Sequence, residues 1–379
     1  MKKTLAAVVD QGSTEFELRE LNVADPGQNE VQIRFVASGL CHSDFHMIDG
    51  VGEGKAPVLA GRKPIVVGHE GAGVIEAVGP GVTRLRPGDH VVCSFMPACG
   101  ACRYCATGRT SLCDWGANSM DGTFPDGKFR YTDDAGREYG SIAMLGTFSR
   151  YATVQQQSVV KIDDWLPLES AVLVGCGVPT GWGTATSAGA VRVGDTVVVY
   201  GIGGIGINAV QGAAHAGAKY VVVVDPVEFK RETALELGAT HAFSTPEEAA
   251  EKVDEITWGQ GADQALVTVG VVKEKVVQDA FDVVGKGGTV VVTGLGAPED
   301  LTIHVSGAVL TKYEKTIKGS MFGTLNPHYD IAKLLRLYDA GILKLDELRT
   351  RTYRLEDVNQ GYRDMIDGTI IRGVILHDR

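Results

Sequence analysis

The sequence predicts a two-domain α/β protein, with a β-rich domain built from both ends of the chain and a doubly wound parallel sheet inserted between them. Three observations carry that expectation. Up to about residue 178 the chain is rich in short β-like runs, Val31 to Val36, Gly73 to Val78 and His90 to Phe95, broken by turns at Gly79-Pro80-Gly81 and Pro87-Gly88. Beyond that point β-branched runs alternate with helix-like segments. Thr196 to Tyr200, Tyr220 to Val224, Ala265 to Val269 and Gly288 to Thr293 are separated by patterns such as Ile205 to Ala216 and Glu228 to Leu237. From about Met321 the pattern turns mixed again, and it ends in the strand-like Ile370 to Leu376, which can rejoin the first domain. The expected domains are residues 1–178 with 322–379, and residues 179–321.

Composition narrows the partners. The first ten residues begin like a signal peptide, but the apolar run stops at Asp10, too short to export or anchor the chain. No stretch reaches the ~18 apolar residues that a membrane span needs. The net charge of −11 is spread along the chain rather than blocked into a tail, which favours solubility and argues against nucleic acid and anionic lipid as partners. A cytoplasmic protein is expected, and its reducing compartment argues against disulfides among the cysteines.

Four of those cysteines fall together as Cys99-Gly100-Ala101-Cys102-Arg103-Tyr104-Cys105, followed by Cys113. Four closely spaced thiols can wrap a tetrahedral Zn²⁺ completely, so residues from about 93 to 115 are expected to form a lobe around a structural zinc. The rival is an iron–sulfur cluster, but there the fourth cysteine follows sooner and precedes a proline, whereas Asp114 follows Cys113. Cys41, His69 and Cys176 remain as ligands for a second site, in which two Cys and one His leave a fourth position open to water or substrate. Cys93, in Val91-Val92-Cys93, reads as a small buried hydrophobe without chemistry.

Inside the alternating region, the strand Val197 to Tyr200 runs directly into Gly201-Ile202-Gly203-Gly204-Ile205-Gly206 and then a helical pattern. After the next strand comes Asp225, the acidic residue such a motif requires. The glycines permit a tight turn and close approach of backbone to a pyrophosphate, which the helix N-terminus attracts through unpaired N–H groups. Asp225 would accept hydrogen bonds from the adenosine ribose and repel a 2′-phosphate, so NAD is preferred over NADP. Lys230 and Arg231 reach either ribose and phosphate or solvent.

Read together, Cys41-His42-Ser43-Asp44, Gly68-His69-Glu70-Gly71-Ala72-Gly73, the cysteine quartet, Gly175-Cys176-Gly177, Thr180-Gly181 and the Gly201 to Gly206 loop resemble the zinc-dependent medium-chain alcohol dehydrogenases over essentially the whole chain. More narrowly, Asp225-Pro226-Val227-Glu228-Phe229-Lys230-Arg231 and Asn326-Pro327-His328-Tyr329-Asp330 resemble the bacterial nicotinoprotein, nitroso-dimethylaniline-linked members, in which NAD stays bound through turnover. The resemblance implies a GroES-like catalytic domain and a Rossmann domain, with the active site in the cleft between them. It further implies two Zn²⁺ per chain, NAD, a small alcohol or carbonyl substrate, a homodimer or homotetramer, and an electron acceptor of unknown identity.

Roles follow for single residues. Two thiolates cancel the charge of Zn²⁺, so the Cys41, His69 and Cys176 site stays neutral and keeps a Lewis-acidic position for an alcohol oxygen. Ser43 can accept a hydrogen bond from the alcohol oxygen, and the resemblance gives His46 the far end of a proton relay through the cofactor ribose. Asp44 is expected to orient His69, and Glu70 to lie beside the metal. The same resemblance places Thr180 and Arg372 at the cofactor, Arg372 on its phosphate, while His42 stands where many relatives carry a phosphate-binding arginine.

Two departures bear on substrate. The stretch between His46 and His69 is longer than in typical relatives and is read as a lid over the substrate entrance. Relatives that oxidise the thiol adduct of formaldehyde carry an arginine shortly after the fourth structural cysteine, and Asp114-Trp115-Gly116-Ala117 offers none, which disfavours thiol-dependent formaldehyde dehydrogenase. A non-catalytic NAD-binding protein is the alternative of another class. The intact Cys41, His69 and Cys176 set argues against it.

Overall fold

A computed structural model describes residues 1–49, 63–118, 122–296 and 302–377. The expected lid falls largely on residues 50–62, outside the described residues. No helix among the described residues is long and apolar enough to cross a membrane. The chain divides into two compact units, one holding residues up to Cys176 and again from Asn326, the other holding Gly177–Leu325. These breaks lie a few residues from the boundaries read in the sequence. The return comes late because Gly323, at φ +64°, packs so tightly on Gly183 and the Pro179 carbonyl that a Cβ there would lie 2.4 Å from Pro179 O.

In the first unit, strands Lys2–Val9, Glu17–Val23, Tyr131–Thr132, Glu138–Ser141 and Ile65–Val66 close into a barrel. A second sheet runs in the order Val159–Lys161, His90–Cys93, Glu70–Val78, Glu30–Gly39, Arg372–Leu376 and Arg349–Tyr353, with Tyr151–Gln155 also paired to Glu30–Gly39. Val31, Ile33, Phe35, Ile75, Val91 and Val154 are essentially fully buried in its core, each contributing roughly 1.5–3 kcal/mol of apolar burial. The last strand lies antiparallel to Glu30–Gly39, with Val374 opposite Gly39, and Leu40 N donates to Gly373 O at 2.9 Å. That pairing brings the end of the chain beside Cys41. The strand begins at Arg372 rather than Ile370 because the Ile371 N–H goes to Thr350 Oγ1.

The second unit is built on a six-stranded parallel sheet in the order His241–Phe243, Tyr220–Val224, Thr196–Tyr200, Ala262–Val267, Val284–Val292 and Thr316–Gly319. Counted from its own first strand this is the 3-2-1-4-5-6 order of doubly wound dinucleotide folds. Thr196–Tyr200 is buried along its whole length, as a central strand covered on both faces must be. The strand read as Ala265 to Val269 runs Ala262–Val267 instead. It ends where Thr268 turns its hydroxyl onto the carbonyls of Tyr200 and Gly201. The strand read from Gly288 starts earlier, at Val284, because Val284 pairs with Ala262 across a bulge.

Candidate functional site

The helix His42–Asp49 follows directly on Cys41 and aims Asp44 inward, where it is fully buried. His69 precedes strand Glu70–Val78, and Gly68 makes the turn that presents it at φ +88°; a Cβ there would lie 2.4 Å from the Phe148 ring. Cys176 sits at the junction of Val172–Gly175 and Gly177–Gly183, 6% exposed. The ligand atoms of Cys41, His69, Glu70 and Cys176 all lie within 4.8 Å of one another.

His69 Nδ1 lies 3.1 Å from Asp44 Oδ1 and 3.0 Å from Oδ2. Nδ1 donates toward this carboxylate, which leaves the other ring nitrogen as the one that can turn its lone pair to a metal once a metal displaces its proton. Burial would lower the His69 pKa, but Asp44 and Cys41 raise it well above the ordinary value. The Cys176 thiol holds Cys41 well below the usual thiol range, helped by His69, while the same contact and burial push Cys176 well above it. Both sulfurs can ionise together only with a cation between them, and a dication with sulfur affinity suits both.

Glu70 is wholly buried, which pushes its carboxyl up to about 7 against the pull of Arg372. Arg372, read in the sequence as a phosphate ligand, is 3% exposed and donates from Nη2 to Glu70 Oε2 and to Leu40 O. Ser43 Oγ lies 3.7 Å from Cys41 Sγ. His46 is a buried helix residue, 5% exposed, with its ring 5.2 Å from that of His42. Two site neighbours escaped the sequence reading. The Phe95 ring stands edge-on to His69 at 5.8 Å, and Tyr362 Oη reaches Cys41 O at 3.2 Å from 321 residues away.

The quartet Cys99, Cys102, Cys105 and Cys113 also gathers its sulfurs within 4.8 Å. A tetrahedron with bonds of about 2.3 Å has edges of about 3.8 Å, and Cys99 and Cys105 sulfurs stand 3.9 Å apart. Backbone N–H groups of Cys99, Cys102 and Cys105 point at the sulfurs of Cys113, Cys99 and Cys102 at 3.3–3.5 Å. Such donors favour thiolates: the Asp114 and Cys105 amides pull Cys102 down to about 6. Cys93 is fully buried and its thiol is pushed up by burial alone, consistent with an inert core residue.

In the second unit the glycine loop follows strand Thr196–Tyr200 and opens helix Gly206–His215. A Cβ on Gly206 would lie 1.9 Å from Gly201 O, whereas one on Gly203 would meet nothing within 4 Å. Gly203 thus faces open space, where a pyrophosphate can approach bare backbone, while Gly204 O accepts from Asn208 Nδ2. Asp225 is 5% exposed and brackets the loop, accepting from Ile202 N at 2.7 Å and Val227 N at 2.9 Å. Arg231 spends its guanidinium on the Asp225 and Pro226 carbonyls, and Lys230 is half-buried on the same helix. Thr180 is buried in helix Gly177–Gly183, which packs on the loop through Gly181.

A barrel unit with two sulfur-rich clusters and a dinucleotide-type sheet define a zinc- and dinucleotide-dependent oxidoreductase. Comparison with known proteins makes that class specific. Residues 27–164 match the alcohol dehydrogenase GroES-like domain and residues 204–340 the zinc-binding dehydrogenase domain. The chain is 65% identical, over 99% of its length and 99% of the relative's, to an NDMA-dependent alcohol dehydrogenase of Amycolatopsis methanolica. It is 64% identical, over 99% of its length and 100% of the relative's, to a putative alcohol dehydrogenase D of Mycobacterium tuberculosis. The crystal structure of benzyl alcohol dehydrogenase from Acinetobacter calcoaceticus matches all of both chains with a TM-score of 0.91 at 31% identity. The chain belongs to the zinc-dependent medium-chain alcohol dehydrogenases and is an alcohol oxidoreductase.

Proposed function

We propose that Cys41, His69 and Cys176 hold a catalytic zinc, that the quartet Cys99, Cys102, Cys105 and Cys113 holds a structural one, and that NAD bound along Gly201 to Gly206 is retained through turnover. The observation that carries the reading is the convergence of the Cys41, His69, Glu70 and Cys176 ligand atoms within 4.8 Å, with His69 already oriented by Asp44. Zinc there supplies a Lewis acid that makes an alcohol hydroxyl more acidic, and NAD supplies the hydride acceptor.

The remaining work belongs to side chains of this chain. Asp44 fixes the tautomer of His69. Ser43, beside Cys41, would accept a hydrogen bond from the substrate hydroxyl and give up its own proton as it takes the substrate's, with the cofactor ribose as the next carrier and His46 on the same helix at the far end of the relay. Arg372 holds Glu70 in place behind the thiolates, so that its carboxylate can assist ligand exchange. The phosphate role read for Arg372 would fall to whatever part of its guanidinium Glu70 and Leu40 leave over. Asp225 favours NAD over NADP through the ribose, alongside Thr180 and Lys230 as further cofactor contacts.

Retention of NAD rests on similarity to a relative whose name records NDMA dependence. Such an enzyme needs a second small molecule to carry the hydride away before the next alcohol binds. The clustered cysteines of this chain, read as metal ligands and not as disulfide partners, suit a reducing cytoplasm, and family resemblance supports a homodimer or homotetramer. The test is to desalt the purified protein exhaustively, quantify zinc and the NAD released on denaturation, and assay aliphatic, allylic and aromatic alcohols with nitroso-dimethylaniline and no added cofactor. Cofactor-free protein that turns over only with supplied NAD would place it among enzymes with dissociable NAD. One zinc per chain, or iron with acid-labile sulfide, would overturn the two-zinc assignment.

A further inference from the structure

Tyr362 lies on helix Val358–Ile366, near the far end of the chain from Cys41, and is 2% exposed. Its ring is wedged among Phe16 at 4.7 Å, Phe45 at 5.9 Å and Phe148 at 6.3 Å between centroids. Its hydroxyl points away from those rings to two oxygens near the metal site. There Oη stands 3.2 Å from the Cys41 carbonyl and 3.4 Å from Asp44 Oδ2. Asp44, fully buried, also accepts from Gly68 N at 2.8 Å and faces His69 Nδ1. The oxygens of a buried carboxylate need donors, and one of the three around Asp44 is this tyrosine. The Cys41 carbonyl is the acceptor on the other branch. The same O–H therefore touches two of the three segments that present ligands, the backbone of Cys41 directly and the ring of His69 through Asp44.

We infer that the Tyr362 hydroxyl is a positioning residue for the metal site, clamping the Cys41 backbone and the Asp44 carboxylate that orients His69. The inference rests on the proposed zinc ligation by Cys41, His69 and Cys176. Partners one step removed from a ligand typically cost 10–100-fold in metal affinity when removed, and Tyr362 acts partly at one further remove. An effect near the lower bound, about tenfold, is expected.

The test uses purified zinc-loaded protein and Tyr362→Phe, which keeps the packed ring and deletes one oxygen. Zinc release to excess chelator resolves two populations, and the cysteine quartet serves as an internal control. Tyr362→Phe should speed release from the Cys41 site by about tenfold, leave the quartet's release unchanged, and shift the visible ligand-field spectrum of protein carrying cobalt in the Cys41 site. Phe16→Leu loosens the same aromatic cage while sparing the hydroxyl. It should lower the unfolding midpoint without altering either metal readout. Wild-type release rates and an unchanged cobalt spectrum in Tyr362→Phe would overturn the positioning role, as would equal acceleration in Phe16→Leu, which would reduce Tyr362 to packing. Failure of the zinc reading itself looks different: the wild-type protein would then hold no metal that Cys176→Ser loses.

Discussion

Asp225 is held by two backbone N–H bonds, from Ile202 and Val227, in addition to the ribose contact proposed for it. Removing its side chain entirely would therefore disturb the glycine loop together with cofactor choice, and Asp225→Asn is the cleaner probe because it keeps an acceptor while losing the charge. NADP affinity relative to NAD should rise by about tenfold or more in this variant, through relief of repulsion at the 2′-phosphate. Equilibrium titration of both cofactors checks it, and an unchanged ratio would remove Asp225 from the ribose. The cysteines allow a second contrast. Cys176→Ser should stay folded yet lose roughly a thousandfold or more in kcat, the worth of several kcal/mol of Lewis-acid stabilisation. Cys102→Ser should instead lower the unfolding midpoint, because a closed metal site contributes folding free energy directly. Each variant should lose one zinc by metal analysis; loss of both or neither from a single variant would show that the sites are not separable.

Among the elements, the strand Arg349–Tyr353 and helix Val358–Ile366 are tied together by one carboxylate. Asp364 accepts from Tyr353 Oη at 2.7 Å, Gln360 Nε2 at 2.8 Å and Arg351 Nη1. The Tyr353 hydroxyl first, then Gln360 and Arg351, hold its pKa below the usual carboxylate range against the opposing effect of burial. A depressed folded-state pKa contributes stability above the unfolded value, near about 4, and that contribution is lost as pH falls through the lower folded value. Asp364→Ala should cost about 1–3 kcal/mol at neutral pH, from the donors it leaves unsatisfied. The gap between the variant and the wild type in denaturant midpoint should narrow below about pH 4. A gap that stays constant down to pH 3 would mean that the charge on Asp364 does not matter. The helix that Asp364 anchors is the one that carries Tyr362, so this variant should also weaken the clamp on Cys41.

Across the whole molecule, what could be read from the sequence followed the distance between partners. The quartet was legible because its four thiols lie within fifteen residues of chain, 99–113. The doubly wound sheet was legible because each β-branched strand carries its own signal and the glycine loop marks the first of them. Cys41, His69 and Cys176 could be chosen as the cysteines and histidine left over within recognisable segments. Asp44 and Glu70 behind them could be named as well, but the distant residues that brace the site could not. Glu70 meets Arg372 across 302 residues and Cys41 meets Tyr362 across 321, contacts made only when the last strand pairs with Glu30–Gly39. Strand ends at Val267 and Arg372 were misplaced because the hydroxyls of Thr268, which donates to the Tyr200 and Gly201 carbonyls, and of Thr350, which accepts from Ile371 N, set them. That late pairing also governs the order of events during synthesis. All three proposed zinc ligands have been made once residue 176 is added, but Arg372 comes about 200 residues later, a delay of roughly 10–40 s at ~5–20 residues per second. A growing chain thus carries a finished sulfur quartet long before the Cys41 site is braced from behind. On ribosomes stalled near residue 340 in the presence of zinc, Cys41 and Cys176 should remain open to alkylation while the quartet is already protected. Equal protection of both would mean that the active site assembles without the tail, and otherwise the cell must shield two exposed thiols until translation ends.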